Sequence, residues 1–342
     1  MEAPINVAEP PFDPSPRADL ILRSTDGMDF YIMKAFLIFD SPVFQNTLLT
    51  GKRSSTRQTQ DGLDLLRLDE DSSVIRHILL FCYPGEPPKL ESLDNIVAIL
   101  RVAEKYEMEA LGKKSREILV ASPFMKEDPL RVFSLAFRYG WEAVGTIAAQ
   151  NTLAMPQRHL RLSEELSYIS GLELYRLTDF RYRCAEEIRR WIFHYDAEWA
   201  RKQPHGRGYK NLEAAEYVWL KSKWGNSHDE SCTEATLFFQ PATENIERVS
   251  FTYTGARQWW VNYFTELLRR LEVCPNAKTV LVDKKLSESA LVAAARCPRC
   301  AAAAFIDLPK FKKSLAEGII QVIARVRHPF SNNFSQIQFT KS

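Results

Sequence analysis

Ala18-Asp19-Leu20-Ile21-Leu22-Arg23-Ser24, then Asp26-Gly27, then Phe30-Tyr31-Ile32-Met33-Lys34-Ala35, is the stretch that decides the fold. Residues 18–24 hardly alternate and are rich in Leu and Ile, which predicts a strand covered on both faces. Asp26-Gly27 is a hairpin signal, because Gly readily takes the positive φ that such a turn needs. Residues 30–33 return as the partner strand. Ser41-Pro42 predicts a helix start: Ser caps free N–H groups, and Pro tolerates the first helical position. The same Pro forces a break after Phe39, so residues 35–39 and 42–49 read as two short helices, with Gly51 placed where a helix ends. The product is a small α+β unit in which no residue carries obvious chemistry.

Working outward, residues 63–68 read as a further strand and residues 73–83 as a helix leading to Tyr83-Pro84-Gly85. Leu93, Ile96, Val97, Leu100, Ala103, Ala110 and Leu111 then keep a helical stripe. Asp19, Phe30, Lys34, Ser41, Phe44, Tyr83 and Gly85 occupy, in order, the places of the BTB/POZ motif, and residues 18–120 resemble that domain. Met33 stands where the family usually has His, so a polar role there is lost and an apolar one kept. The resemblance implies a short three-stranded sheet capped by helices. It also implies protein binding, with self-pairing through the first strand and first helices. Leu20, Leu22, Phe36, Phe39 and Phe44 are the candidates for that face, since an apolar run at residues 35–39 exceeds what one helix face buries. The plainer reading is that they fill the domain's own core, as Ile21, Ile32 and Leu37 are expected to. Like many BTB proteins, the chain is a candidate to dock on a cullin-type ubiquitin-ligase scaffold.

Beyond Ser122-Pro123, Asp128-Pro129 opens a second helical region, with Phe133, Phe137, Trp141, Ala148 and Leu153 among its apolar positions. The run from Asp128-Pro129-Leu130-Arg131-Val132-Phe133 to Tyr139-Gly140-Trp141 resembles the segment that follows the domain in a group of fungal (mushroom-type) BTB proteins. Ala148-Ala149, Thr152-Leu153 and Leu174-Tyr175-Arg176-Leu177 continue that likeness. It implies a helical extension over residues 123–195 and a mostly helical C-terminal domain, residues 196–342, carrying a Cys-x-x-Cys. Residues 196–256 give no firm pattern, although 236–239 and 249–254 read as short strands or irregular chain. Helical periodicity returns at residues 256–271 and 308–326.

Composition narrows the classes of function. A chain of 342 residues has room for two or three domains. A net charge of +2 gives no electrostatic case for nucleic acid or an anionic membrane as a partner. No apolar run is long enough to predict a transmembrane helix. Residues 1–17, with Pro4, Pro10, Pro11, Pro14 and Pro16, read as a disordered lead-in rather than an export signal. Six cysteines are too few for a disulfide scaffold in a chain this long, so reduced thiols in the cytosol or nucleus are expected.

Candidate chemistry is concentrated at Cys297-Pro298-Arg299-Cys300. Two thiolates at this spacing can grip one zinc ion, but a structural site needs two further ligands. Cys274 is one candidate, and His228 with Cys232 is another pair. A redox role would need the pair at a helix start after a strand, whereas residues 287–296 before it read helical. The bland alternative is two small, half-buried side chains at a bend between helices. Gly51-Lys52 lacks the spacing of a phosphate-binding loop, and residues 52–62 read as an exposed basic loop. No nucleophile elbow occurs, and the six histidines fall in no acid–base or metal motif. No cofactor is therefore expected, with zinc left open. The expectation is a non-enzymatic adaptor or scaffold; the alternatives are a transcriptional co-regulator and, in another class, a zinc- or thiol-dependent protein using Cys297 and Cys300.

Overall fold

A computed structural model describes residues 6–49, 57–193, 232–239 and 251–329. The chain divides into two units, Met1–Met125 and Lys126–Ser342. In the first, β1 (Asn6–Val7), β2 (Leu20–Arg23), β3 (Met28–Ile32), β4 (Arg57–Gln60) and β5 (Leu63–Arg67) form one sheet in the order β1-β3-β2-β5-β4. The sheet thus has five strands where three were expected. The hairpin β2–β3 turns at Asp26-Gly27, where Gly27 takes φ 81°. β2 also pairs in parallel with β5, a crossover spanned by α1 (Lys34–Asp40) and α2 (Pro42–Leu49).

Both extra strands correct sequence-based expectations. The lead-in expected to be disordered joins the sheet at Asn6–Val7, where β1 pairs in parallel with β3, and Phe12 is fully buried against Phe30 and Tyr83. Prolines suppress regular structure but do not prevent one aromatic anchor from reaching the core, where its burial contributes about 2–3 kcal/mol. Part of the expected basic loop is instead β4 and a turn at Asp61-Gly62, both residues at positive φ. That is the same Asp-Gly hairpin chemistry as at residues 26–27.

β2 is buried along its whole length, as its unbroken apolar run predicts. Leu20 and Leu22 enter the main core, while Ile21 meets Tyr31 and Leu65 on the opposite face. α3 (Ser72–Cys82) starts at Asp71, whose carboxylate accepts from the Val74 N–H at 2.9 Å. Asp26 in the hairpin accepts from the Ser72 N–H and hydroxyl, and hydrogen bonding from Ser24, then from Ser72, holds its carboxyl below the ordinary value. α4 (Leu93–Lys105) buries the expected stripe and is capped by Ser92. The stripe does not run on: Glu107 at φ 54° breaks the helix, α5 (Glu109–Ala121) restarts in a new phase, and Ala110 is exposed.

In the second unit, after the single turn α6 (Phe124–Glu127), come α7 (Pro129–Arg138), α8 (Glu142–Thr152) and the long α9 (Gly171–Phe193). Gly140, at φ 68°, ends α7 in the left-handed conformation, with the Trp141 N–H returning to the Ala136 carbonyl. Buried Arg181 on α9 donates to the carbonyls of Thr152 and Met155. Residues 232–239 and 251–257 contain an antiparallel pair, β6 (Glu234–Phe239) and β7 (Phe251–Arg257). The unit continues with α10 (Gln258–Val273), α11 (Ala277–Leu281), α12 (Lys284–Ala294) and α13 (Pro298–Ile323). Trp260, Phe264, Leu267 and Leu271 of α10 bury the predicted face against Phe311, Leu315 and Ile319 of α13. α13 begins ten residues before the expected position and passes through Pro309. Among the described residues no helix is long and apolar enough to cross a membrane.

Candidate functional site

The motif residues of the first unit build one junction. Asp19, just before β2, accepts the backbone N–H of Lys34 at 2.7 Å and so satisfies the first donor of α1 from a distance. Its other oxygen lies 3.9 Å from Lys34 Nζ. The Tyr83 hydroxyl accepts the Met33 N–H at 2.8 Å. Because the bond is to the backbone of Met33, the side chain at that position is free to vary, which explains how Met is accommodated there. Ser41 Oγ accepts from the Phe44 N–H at 3.1 Å, capping α2, and donates to the Tyr106 carbonyl at 2.5 Å. Phe30 fills the core, and Gly85, at φ 158°, follows α3. These residues position α1 and α2.

The five residues assigned to a pairing face do not share one. Leu20, Leu22 and Phe44 are buried inside the unit, Phe44 stacked on Tyr106 with ring centres 4.5 Å apart. This corrects the expectation for those three: β2 is an inner strand covered on both faces, and Phe44 lies on the face of α2 that packs into the core on Tyr106. Phe36 is half-buried, its ring 4.4 Å from that of Tyr83. Phe39 alone projects, 90% exposed on α1. Leu49 at the end of α2 and Val7 on the outer strand β1 are also exposed, and the sequence reading missed both.

The architecture now has a counterpart. Residues 10–123 are a BTB/POZ domain. The match takes in Phe12 and the end of α5. A comparison with curated proteins found no match to the chain. A BTB/POZ domain is a protein-interaction module, so protein binding is the activity this part of the chain carries. The likeness of the later residues to a fungal group lies outside that match.

Beyond the BTB/POZ domain, one group of side chains among the described residues has chemical potential. Cys297 stands at the N-cap of α13 and Cys300 in its first turn; both are buried. They meet Cys232, two residues before β6, and the three Sγ atoms all lie within 4.8 Å of one another. Cys232 and Cys300 approach to 3.4 Å. Cys274 is not part of the group, which corrects its assignment as a ligand: it ends α10 and lines a separate cleft of about 870 Å³ with Pro156, Arg158 and Val282. His228 lies outside the described residues. Burial, together with the two neighbouring sulfurs, pushes the Cys232 thiol up to about 12, and burial also raises that of Cys300. Thiols so reluctant to ionise make poor redox nucleophiles.

Two buried ion pairs also escaped the sequence reading. Arg23 with Asp29 and Arg131 with Glu165 each make two charge-assisted hydrogen bonds. The members of each pair are far enough apart or so placed that no helical i,i+4 rule flags them.

Proposed function

We propose that this chain is a non-enzymatic adaptor that joins two copies of itself through the BTB/POZ domain and holds a second partner on residues 126–329. Phe39 carries the reading. Burying an aromatic side chain that projects this far from a short helix contributes about 2–3 kcal/mol to an association. The junction made by Asp19, Lys34, Met33 and Tyr83 fixes the helix that presents it. The concrete form is a substrate adaptor for a cullin-type ubiquitin ligase in the cytosol or nucleus; a scaffold or transcriptional co-regulator is the alternative.

Light scattering on the full chain over a range of concentrations tests the pairing. A dimer is expected, with Phe39→Glu shifting it to monomer, and a strictly monomeric wild type would remove the pairing. Titration with a cullin N-terminal domain tests the ligase role. Absence of binding at tens of micromolar would leave the scaffold form of the adaptor.

A further inference from the structure

Three of the chain's six cysteines converge on one point although Cys232 and Cys300 are 68 residues apart in sequence. Cys82, Cys184 and Cys274 lie elsewhere, unpaired by any disulfide. Thiols can gather for packing alone, but here their spacing carries information. A tetrahedral zinc ion with bonds of about 2.3 Å holds its thiolate sulfurs roughly 3.8 Å apart. The observed sulfur separations, from 3.4 Å to at most 4.8 Å, bracket that value. The sulfurs are not joined, since a disulfide would bring two of them to about 2.05 Å.

The surroundings suit an anionic metal centre. Cys297 and Cys300 sit at the N-terminus of the long helix α13, where the helix dipole favours negative charge. Arg257 is a buried cation that donates to the Cys232 carbonyl at 3.3 Å, so a positive charge sits next to the cluster. A cavity of about 130 Å³, lined in part by Cys232, Cys297, Trp259 and Asn262, leaves room beside the sulfurs for a small non-sulfur ligand such as water.

We propose that Cys232, Cys297 and Cys300 bind one zinc ion as three thiolates, with a non-sulfur ligand in the fourth position. The ion ties the segment before β6 to the start of α13. Binding exchanges three S–H protons for three S–Zn bonds, so affinity falls with acid and the released protons can be counted.

Elemental analysis of the full chain, purified reduced from zinc-supplemented culture and dialysed, tests the site. One zinc per chain is expected, lost to background in Cys297→Ser and in Cys232→Ser and retained in Cys274→Ser. X-ray absorption is expected to count three sulfurs and one lighter ligand. If the serine variants do not fold, cobalt(II) titrated into reduced, metal-free wild type substitutes for them, and a thiolate-to-cobalt charge-transfer band is expected. Zinc at background in wild type with no cobalt band would overturn the proposal. So would full zinc in Cys297→Ser, a fourth sulfur, or loss of zinc on Cys274→Ser.

Discussion

Arg23 and Asp29 face each other across the β2–β3 hairpin as a buried, two-point ion pair, with Nε–Oδ1 at 2.6 Å and Nη2–Oδ2 at 2.7 Å. Gln60 of β4 completes the group, accepting from Arg23 at 2.5 Å and donating to Asp29 at 3.1 Å. Three strands are therefore registered by one polar cluster inside an apolar sheet. Removing a single partner leaves the other charge buried and unpaired. Asp29→Ala is expected to cost about 3–5 kcal/mol. The double change Arg23→Met with Asp29→Leu should recover most of that loss, because two apolar groups leave no orphan charge. Urea unfolding of the single and double variants measures both.

Phe39 and Phe44 separate association from folding. Phe39→Glu removes an exposed ring, so the unfolding free energy of the chain should change by less than about 0.5 kcal/mol. Self-association should weaken by about 2 kcal/mol, roughly thirty-fold. Phe44→Ala does the reverse at the fold level: it empties a core site stacked on Tyr106 and is expected to cost about 3–5 kcal/mol. Sedimentation together with thermal melts of both variants distinguishes the two roles.

What could be read from residues alone was what is encoded locally. The apolar run of β2, the Asp26-Gly27 turn and the Ser41-Pro42 helix start each carry their signal within a few residues, and the structure places strands, turn and helix there. Phe12 was invisible because one apolar residue among prolines has no period. The break at Glu107 was missed because nothing but its own positive φ interrupts an otherwise regular stripe. The second Asp-Gly pair, Asp61-Gly62, was legible and overlooked: the basic residues before it suggested a loop. Cys232 was weighed as a partner for the Cys-x-x-Cys, but choosing it over Cys274 needs long-range contacts that no local pattern encodes. Leu20, Leu22 and Phe44 were misassigned because burial inside a domain and burial at an interface call for the same residue types.

Glu165 gives the second unit an acid-sensitive element. Burial alone would raise its carboxyl, but two bonds from Arg131, at 2.8 Å and 2.9 Å, outweigh this and hold it below the ordinary 4.5. A group depressed in the folded state binds its proton more readily when unfolded. Its stabilisation is therefore present above the unfolded value of 4.5 and is lost as pH falls from there through the folded value. Glu165→Gln keeps the shape and removes the charge. The stability difference between wild type and this variant should be about 2 kcal/mol at neutral pH, somewhat below that of a fully buried pair because Arg131 is partly exposed. It should shrink steadily below pH 4.5 in denaturant titrations, and a difference independent of pH would show that the ion pair is not its source.

Gly318, in the middle of α13, sits where helix propensity argues against glycine, at about 1 kcal/mol relative to alanine. The reason is Trp191 on α9: a Cβ at position 318 would come within 2.1 Å of its ring. The indole thus packs directly over Gly318 and occupies the space a β-carbon would need. Gly318→Ala is expected to destabilise the chain by about 1–3 kcal/mol, since the ring must leave its site or the helices must part. In a Trp191→Ala background the obstacle is gone and only propensity is left. There the same Gly318→Ala change should stabilise by up to about 1 kcal/mol. The sign of one substitution should therefore reverse between the two backgrounds. A thermal-melt double-mutant cycle reads that coupling directly, and equal effects in both backgrounds would exclude the close approach as the reason for the glycine.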